Sequence, residues 1–435
     1  MSNTSFLVKR SRSLWLFLSL VFFSLIITST FSYAESLTIE SALALAQRNN
    51  PELRKAIASL EAAKGELTEA NSPLFNNPTV NLAGGSRKLY DPTNSDSRHS
   101  EWNTGVAQTF ELAGQQSFRR QTANAKLSAL RQEIDEVRHR VNAEVEERFV
   151  HVLALQKRIE TEQQTLELTE RNTNLVGKRV EAGEDSKLDG NLTVVETERA
   201  RNQISLLQEQ LTRARATLSA SLQLPEHQLP TVLGELQPPT TTYTLDNLLA
   251  SVANRPALKA LSWREESARS TLGLERAFRI PDLTVSLNYG RDAVVGGQDA
   301  VTTLGFSLPI PLFRRNAAGI GRATTELNQA EIDKNTLSRD ARTSVIASWL
   351  RRLSLQDRVQ RLTTAVYPKL EENLKLSQIA FKNGEIALPQ LLIVQRQVID
   401  AQRDLIEAQL DLRLTQIELE YAAGWPLTNE SANQQ

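Results

Sequence analysis

The chain has 435 residues, no cysteine, and nearly balanced charge, with 50 Lys and Arg against 51 Asp and Glu. That balance offers no electrostatic footprint for nucleic acid, so no nucleic-acid partner is expected. Without cysteine the fold relies on packing rather than disulfides, which suits an oxidising compartment.

The first residues read as an export address. Lys9, Arg10 and Arg12 form a basic start, and Leu14 to Ile27 is apolar except for Ser19 and Ser24. Ser32-Tyr33-Ala34 supplies small residues for cleavage, so residues 1–34 are expected to be a signal peptide. No later run of about eighteen apolar residues exists to make a spanning helix. If the mature chain enters a membrane, it must do so as strands that close a barrel.

The remainder states one plan twice. A stretch from Thr38 to Pro78 is answered from Thr244 onward, and the segment from Gly183 is answered from Gly384. Pro225 follows Gly183 by 42 residues, as Pro426 follows Gly384. A period this long implies a duplicated fold unit. The expected units are 35–236 and 237–426, with a polar tail at 427–435.

In each unit, short helices come first and a pair of alternating segments follows. Thr79–Gly85 and Trp102–Phe110 alternate apolar and polar residues, as do Leu283–Tyr289 and Val301–Leu308. Period two predicts hairpins at about 78–112 and about 281–310. Asn81, Thr104, Gln108, Thr284 and Ser286 are the candidates for the wet face. Gly84-Gly85 and Gly296-Gly297 read as turn or bulge glycines.

The long helices come next. From about Gln115 to Ala182, apolar residues recur every three and four positions, as at Leu127, Leu130, Ile134, Val137 and Val141. Nearly seventy helical residues would reach about 100 Å, wider than a globular core. Gly183 stops this helix, Asp185, Ser186 and Asp189 cap the next, and a return helix over about Leu188–Leu222 ends before Pro225. In the second unit Arg322–Asn383 and Ile386–Ala423 repeat the pattern around Gly384, giving helical hairpins at about 115–222 and about 320–423. Pro368 predicts a kink, whereas Pro389 falls in a first turn, where proline is tolerated. The fold class is therefore mostly α, with four strands per chain. Four strands leave open edges that a bilayer does not permit. Three chains would supply twelve strands and also close the helices into a tube.

The twofold repeat, the element order and three motif sets together resemble the TolC family of outer-membrane efflux proteins over essentially the whole mature chain. The motifs are Arg179-Val180-Glu181-Ala182-Gly183-Glu184 with its echo Ala380-Phe381-Lys382-Asn383-Gly384-Glu385, the passage Phe306 to Phe313, and its counterpart Gln108 to Gly114. The resemblance implies a homotrimer in the outer membrane, with a twelve-stranded barrel in contact with outer-membrane lipid and a periplasmic helical tunnel. It implies a periplasmic adaptor and an inner-membrane pump of the RND type as partners. Phe110-Glu111-Leu112-Ala113-Gly114, with Arg119 and Arg120, is similar to the CzcC-type branch that serves heavy-metal pumps. That branch often has Lys-Arg after the glycine, where this chain has Gln115 and Gln116. Export of drugs, organic anions or proteins through the same fold is the alternative.

The resemblance assigns adaptor docking to the tips: Arg179, Gly183, Glu184, Asp185, Lys382, Gly384 and Glu385. A gate is expected nearby. Some family members carry a carboxylate ring six and nine residues after the second tip glycine; here those positions are Gln390 and Ile393. Asp189 holds the six-residue position in the first unit, where helix capping competes with a gating role. No catalytic or cofactor motif occurs, so neither an enzyme nor a cofactor is expected. His139 and His151 lie too far apart on one helix to share a metal; His99 falls in the first outer loop and His227 in the linker. A structural coiled-coil envelope protein would explain the helices but not the alternating hairpins.

Overall fold

The computed structural model describes residues 36–90, 97–237, 243–294 and 297–425. The expected signal peptide and the polar tail lie outside the described residues.

Two short helices, α1 (Ile39–Asn49) and α2 (Pro51–Ala70), open the first half. Asn50 separates them: its Oδ1 accepts from the N–H groups of Glu52 and Leu53, and Pro51 starts α2 where no N–H is needed. Strands β1 (Thr79–Leu89) and β2 (Ser97–Phe110) follow. Then come α3 (Gln115–Glu181, 67 residues) and α4 (Lys187–Leu222). The second half repeats the order with α5 (Leu245–Ser251), a 3-10 turn, α6 (Pro256–Ala277), β3 (Leu283–Val294) and β4 (Gly297–Ser307). It closes with α7 (Ala317–Arg361), α8 (Tyr367–Lys382) and α9 (Leu388–Ala423).

The expected second long helix is therefore two. Leu362–Val366 between α7 and α8 is π-helical. Pro368 has no N–H to donate, and the widened turn just before it absorbs the break in the hydrogen-bond ladder. Pro389 sits in the first turn of α9.

Along α3 the buried side chains keep a seven-residue step: Leu127, Ile134 and Val141, then Val145, Val152 and Ile159. This is a coiled-coil seam. It packs on α1, α4 and α9 around Val141, Phe149, Leu218 and Ile417. A second core joins α5, α7 and α9 through Leu248, Val345 and Leu419.

The strands form one antiparallel sheet in the order β1-β2-β3-β4. β1 and β2 pair without interruption from Thr79↔Ala107 to Leu89↔Ser97. Gly84 and Gly85 thus lie in a regular ladder, not at a turn or bulge. No helix among the described residues is long and apolar enough to cross a membrane.

Candidate functional site

The pairing register divides the sheet into two faces. Val80, Val106, Leu287 and Leu304 lie in one cross-strand row; Leu82, Thr104, Tyr289 and Thr302 lie in the next row on the same side. That face also holds Trp102, Phe110 and Phe306. Its large side chains are exposed, reaching 80% for Leu82 and 68% for Phe306. The other face carries Asn81, Asn103, Thr284, Ser286, Asn288 and Thr303. One face is therefore built for an apolar medium and the other for water.

Two sequence assignments change here. Thr104 pairs with Leu82 and Tyr289, and Gln108 with Val285, so both belong to the apolar face. Asn81, Thr284 and Ser286 lie on the polar face as expected. Side chains alternate strictly along a strand, and only the cross-strand register says which parity in β2 matches which parity in β1. Gln108 turns its amide to the carbonyl oxygens of Asn76 and Thr109.

The polar face is crowded where the strands meet. A Cβ on Gly105 would lie 1.9 Å from Oδ1 of Asn288, its direct partner across the ladder. A glycine there leaves room for the Asn288 side chain.

Below the sheet, the strand-to-helix joint is fastened by charge. Arg119 donates to both carboxylate oxygens of Glu111, at 2.6 and 3.0 Å, and lies over the Phe75 ring at 3.5 Å. Gln115 is fully buried and donates to Asp282 Oδ1 at 3.1 Å, while Gln116 donates to the carbonyl oxygens of Ala70 and Ser72. The two glutamines that stand in place of Lys-Arg thus satisfy buried polar groups at the joint.

The tips repeat one another closely. Gly183 and Gly384 have φ of 77° and 75°. In each turn the N–H three residues past the last helical residue closes back: Glu184 to the Arg179 oxygen and Glu385 to the Ala380 oxygen, both at 2.8 Å. Ser186 caps α4, accepting from the Asp189 N–H and donating to Asp189 Oδ2 at 2.6 Å. At the equivalent place Gln390 Oε1 accepts from the Ala387 N–H at 3.1 Å. Asp189 and Gln390 are therefore both engaged in starting a helix.

The two tips pack together through Val176, Phe381, Leu388 and Leu391. Arg179 pairs with Asp185 at 3.0 Å and approaches Glu184 at 3.6 Å. Lys382 is exposed, and Glu385 accepts from Asn383 at 3.3 Å. Above the tips Ile393 is 57% exposed and borders a cleft of about 290 Å³ between α3, α4 and α9. The cleft also contains a pair that sequence reasoning did not single out. Arg403 grips fully buried Glu162 with two bonds of 2.6 and 3.0 Å, tying α9 to α3. The two residues are 241 positions apart, so no local pattern announces them. Among the described residues no cluster of three or more His, Asp or Glu side chains is arranged to hold a metal.

An open four-stranded sheet, apolar on one side and continued by a coiled coil about 100 Å long, defines an outer-membrane channel subunit. The outer membrane efflux protein model matches residues 42–222 and 249–425, and the chain belongs to that family. The double match coincides with the internal repeat. In this fold the barrel closes only in the trimer. The cobalt-zinc-cadmium resistance protein CzcC of Cupriavidus metallidurans is 26% identical over 364 residues, covering 83% of this chain and 84% of that protein. The pyoverdine export outer membrane protein OpmQ of Pseudomonas putida is 24% identical, covering 72% of this chain and 68% of that one. Among solved structures, the outer membrane protein VceC of Vibrio cholerae aligns with a TM-score of 0.73 at 18% identity, over 89% of this chain and 96% of VceC. The CusC channel aligns with a TM-score of 0.73 at 16% identity, over 88% and 91%.

Proposed function

We propose that this protein is the outer-membrane component of a tripartite efflux system, a passive exit duct for heavy-metal cations handed over by an RND-type pump and a periplasmic adaptor. The observation that carries the duct reading is the division of the sheet. Leu82, Leu287, Leu304 and Phe306 project from one face and Asn81, Ser286, Asn288 and Thr303 from the other. A wall needs a greasy outside and a wet inside, whereas an envelope scaffold needs neither.

The metal reading draws on the likeness to CzcC over most of both chains. Organic-anion export is the second reading, favoured by the likeness to OpmQ. In either case the pump selects the cargo. The tips, with Arg179, Glu184, Asp185, Lys382 and Glu385 around Gly183 and Gly384, serve as the adaptor-docking end.

Two measurements test this. Detergent-corrected light scattering of the extracted protein should give three chains; a stable monomer or dimer would sink the architecture. A deletion strain should become sensitive to zinc or cobalt, and the variant with His99, His139, His151 and His227 all replaced by Asn should restore tolerance. Failure of that variant at normal protein level would show that the chain itself handles metal.

A further inference from the structure

The outer ends of the hairpins sort their charges by face. Lys88 is the direct cross-strand partner of Arg98, and Arg291 is that of Trp102 and Ala300. The same register sets these three cations on the face of Leu82, Trp102 and Tyr289. Glu101 on β2 and the cross-strand pair Asp292 and Asp299 lie on the opposite face, where Arg87 pairs with Glu101 at 2.8 Å. Among the described strand residues the apolar face thus holds cations and no carboxylate.

The heights are informative. On that face the apolar band of β2 runs from Phe110 to Trp102, about 20 Å of bilayer for strands rising about 3.3 Å per residue at about 40° tilt. Trp102 and Tyr289 meet edge to face at 5.7 Å and close the band at its outer end. Such aromatic pairs mark the boundary between hydrocarbon and headgroups. Arg291 is level with Trp102, its direct partner, and Arg98 lies four residues beyond Trp102, roughly 10 Å higher by the same geometry. Both are exposed, as is Lys88. Guanidinium groups at this level find their best partner in phosphate, which they hold with paired hydrogen bonds.

We propose that Lys88, Arg98 and Arg291 form a binding site for a phosphorylated lipid headgroup of the outer leaflet, with the acyl chains lying along Leu82, Leu287 and Leu304. The two levels of cations, Lys88 with Arg98 above and Arg291 below, suit a headgroup carrying two phosphates. The proposal rests on the outer-membrane barrel reading.

The test uses the full-length mature protein purified in detergent micelles doped with bisphosphorylated lipid A, and native mass spectrometry to count retained lipid. The wild-type trimer should hold lipid A. A Lys88→Gln, Arg98→Gln, Arg291→Gln variant should lose retention by roughly tenfold or more, the scale of losing a charge-assisted hydrogen bond. Arg87→Gln, on the polar face, should retain it. If the triple variant does not assemble, Arg98→Gln alone is expected to show a smaller loss, since its side chain stands at an exposed strand end. Equal retention with and without the cations would overturn the site. Equal retention of phosphatidylglycerol and lipid A by the wild type would overturn the outer-leaflet ligand. A water-soluble monomer would overturn the barrel reading itself, and the lipid site with it.

Discussion

Arg179, in the last turn of the first long helix, lies over the ring of Phe381 in the second helical hairpin, 5.2 Å from its centroid. The same guanidinium holds Asp185 of its own turn at 3.0 Å. One side chain thus joins the two tips that the duplication produced. It adds a charge contact to the apolar cluster of Val176, Phe381 and Leu391. A partly buried cation–π contact is worth about 1–2 kcal/mol, small globally but large for a helix end.

Arg179→Ala should therefore loosen both tips. Amide hydrogen exchange should rise at Glu184 and also at Glu385, although residue 179 is not in the second hairpin. Asp185→Ala should raise exchange mainly at the first tip. Unchanged protection at Glu385 in Arg179→Ala would mean that the tips are held by apolar packing alone.

Gly183→Val and Gly384→Val should damage the tips through the backbone. No atom lies within 4 Å of where a Cβ would stand, so crowding is not involved. The left-handed conformation costs an L-residue roughly 1–2 kcal/mol, and asparagine tolerates it better than valine. The double valine variant should form trimers, yet cross-link less to the adaptor and export less. Asparagine at the same positions should fall between valine and wild type.

Leu304 and Thr303 are adjacent in β4 but face opposite ways. Leu304→Arg should cost about 2–4 kcal/mol, as a cation facing lipid does near the midplane, and should reduce folded barrel. Thr303→Arg should leave heat-resistant trimer on gels and instead lower single-channel conductance to cations. The opposite ranking of trimer yield would reverse the two faces.

Glu136 on α3 accepts from Arg255 at 2.7 Å, the Tyr421 hydroxyl at 3.0 Å and the Ala257 N–H at 3.2 Å. Burial pushes its carboxyl up, but the bonds and charge of Arg255, with Tyr421 and Ala257, outweigh it and hold the group below its ordinary value. A lowered carboxylate pKa adds stability above the ordinary value and loses it as pH falls through the folded one. Wild type should therefore lose melting temperature on acidification more steeply than Glu136→Gln. At neutral pH the variant should be less stable by roughly 1–3 kcal/mol. Glu146, which burial pushes up despite Arg413, acts in the opposite sense. It is common to both proteins and drops out of the comparison.

Residue order suffices for whatever in this chain is local or repeated. The seven-residue step from Leu127 to Ile159 dictates a helix too long for a globule. Gly183 and Gly384 mark where that helix must turn, and two alternating segments in each half dictate hairpins. These features depend on neighbours within a few residues, so the order of residues suffices to read them. Tertiary structure alone decided how the segments meet. The register of β1 against β2 moved Thr104 and Gln108 to the apolar face, because a shift of one residue exchanges every side chain between faces. The pairs Arg403–Glu162 and Arg255–Glu136, 241 and 119 residues apart, exist only because folded helices bring them together. Their burial gives them weight: a charge taken out of water must find its partner, and chain order does not say where that partner will be.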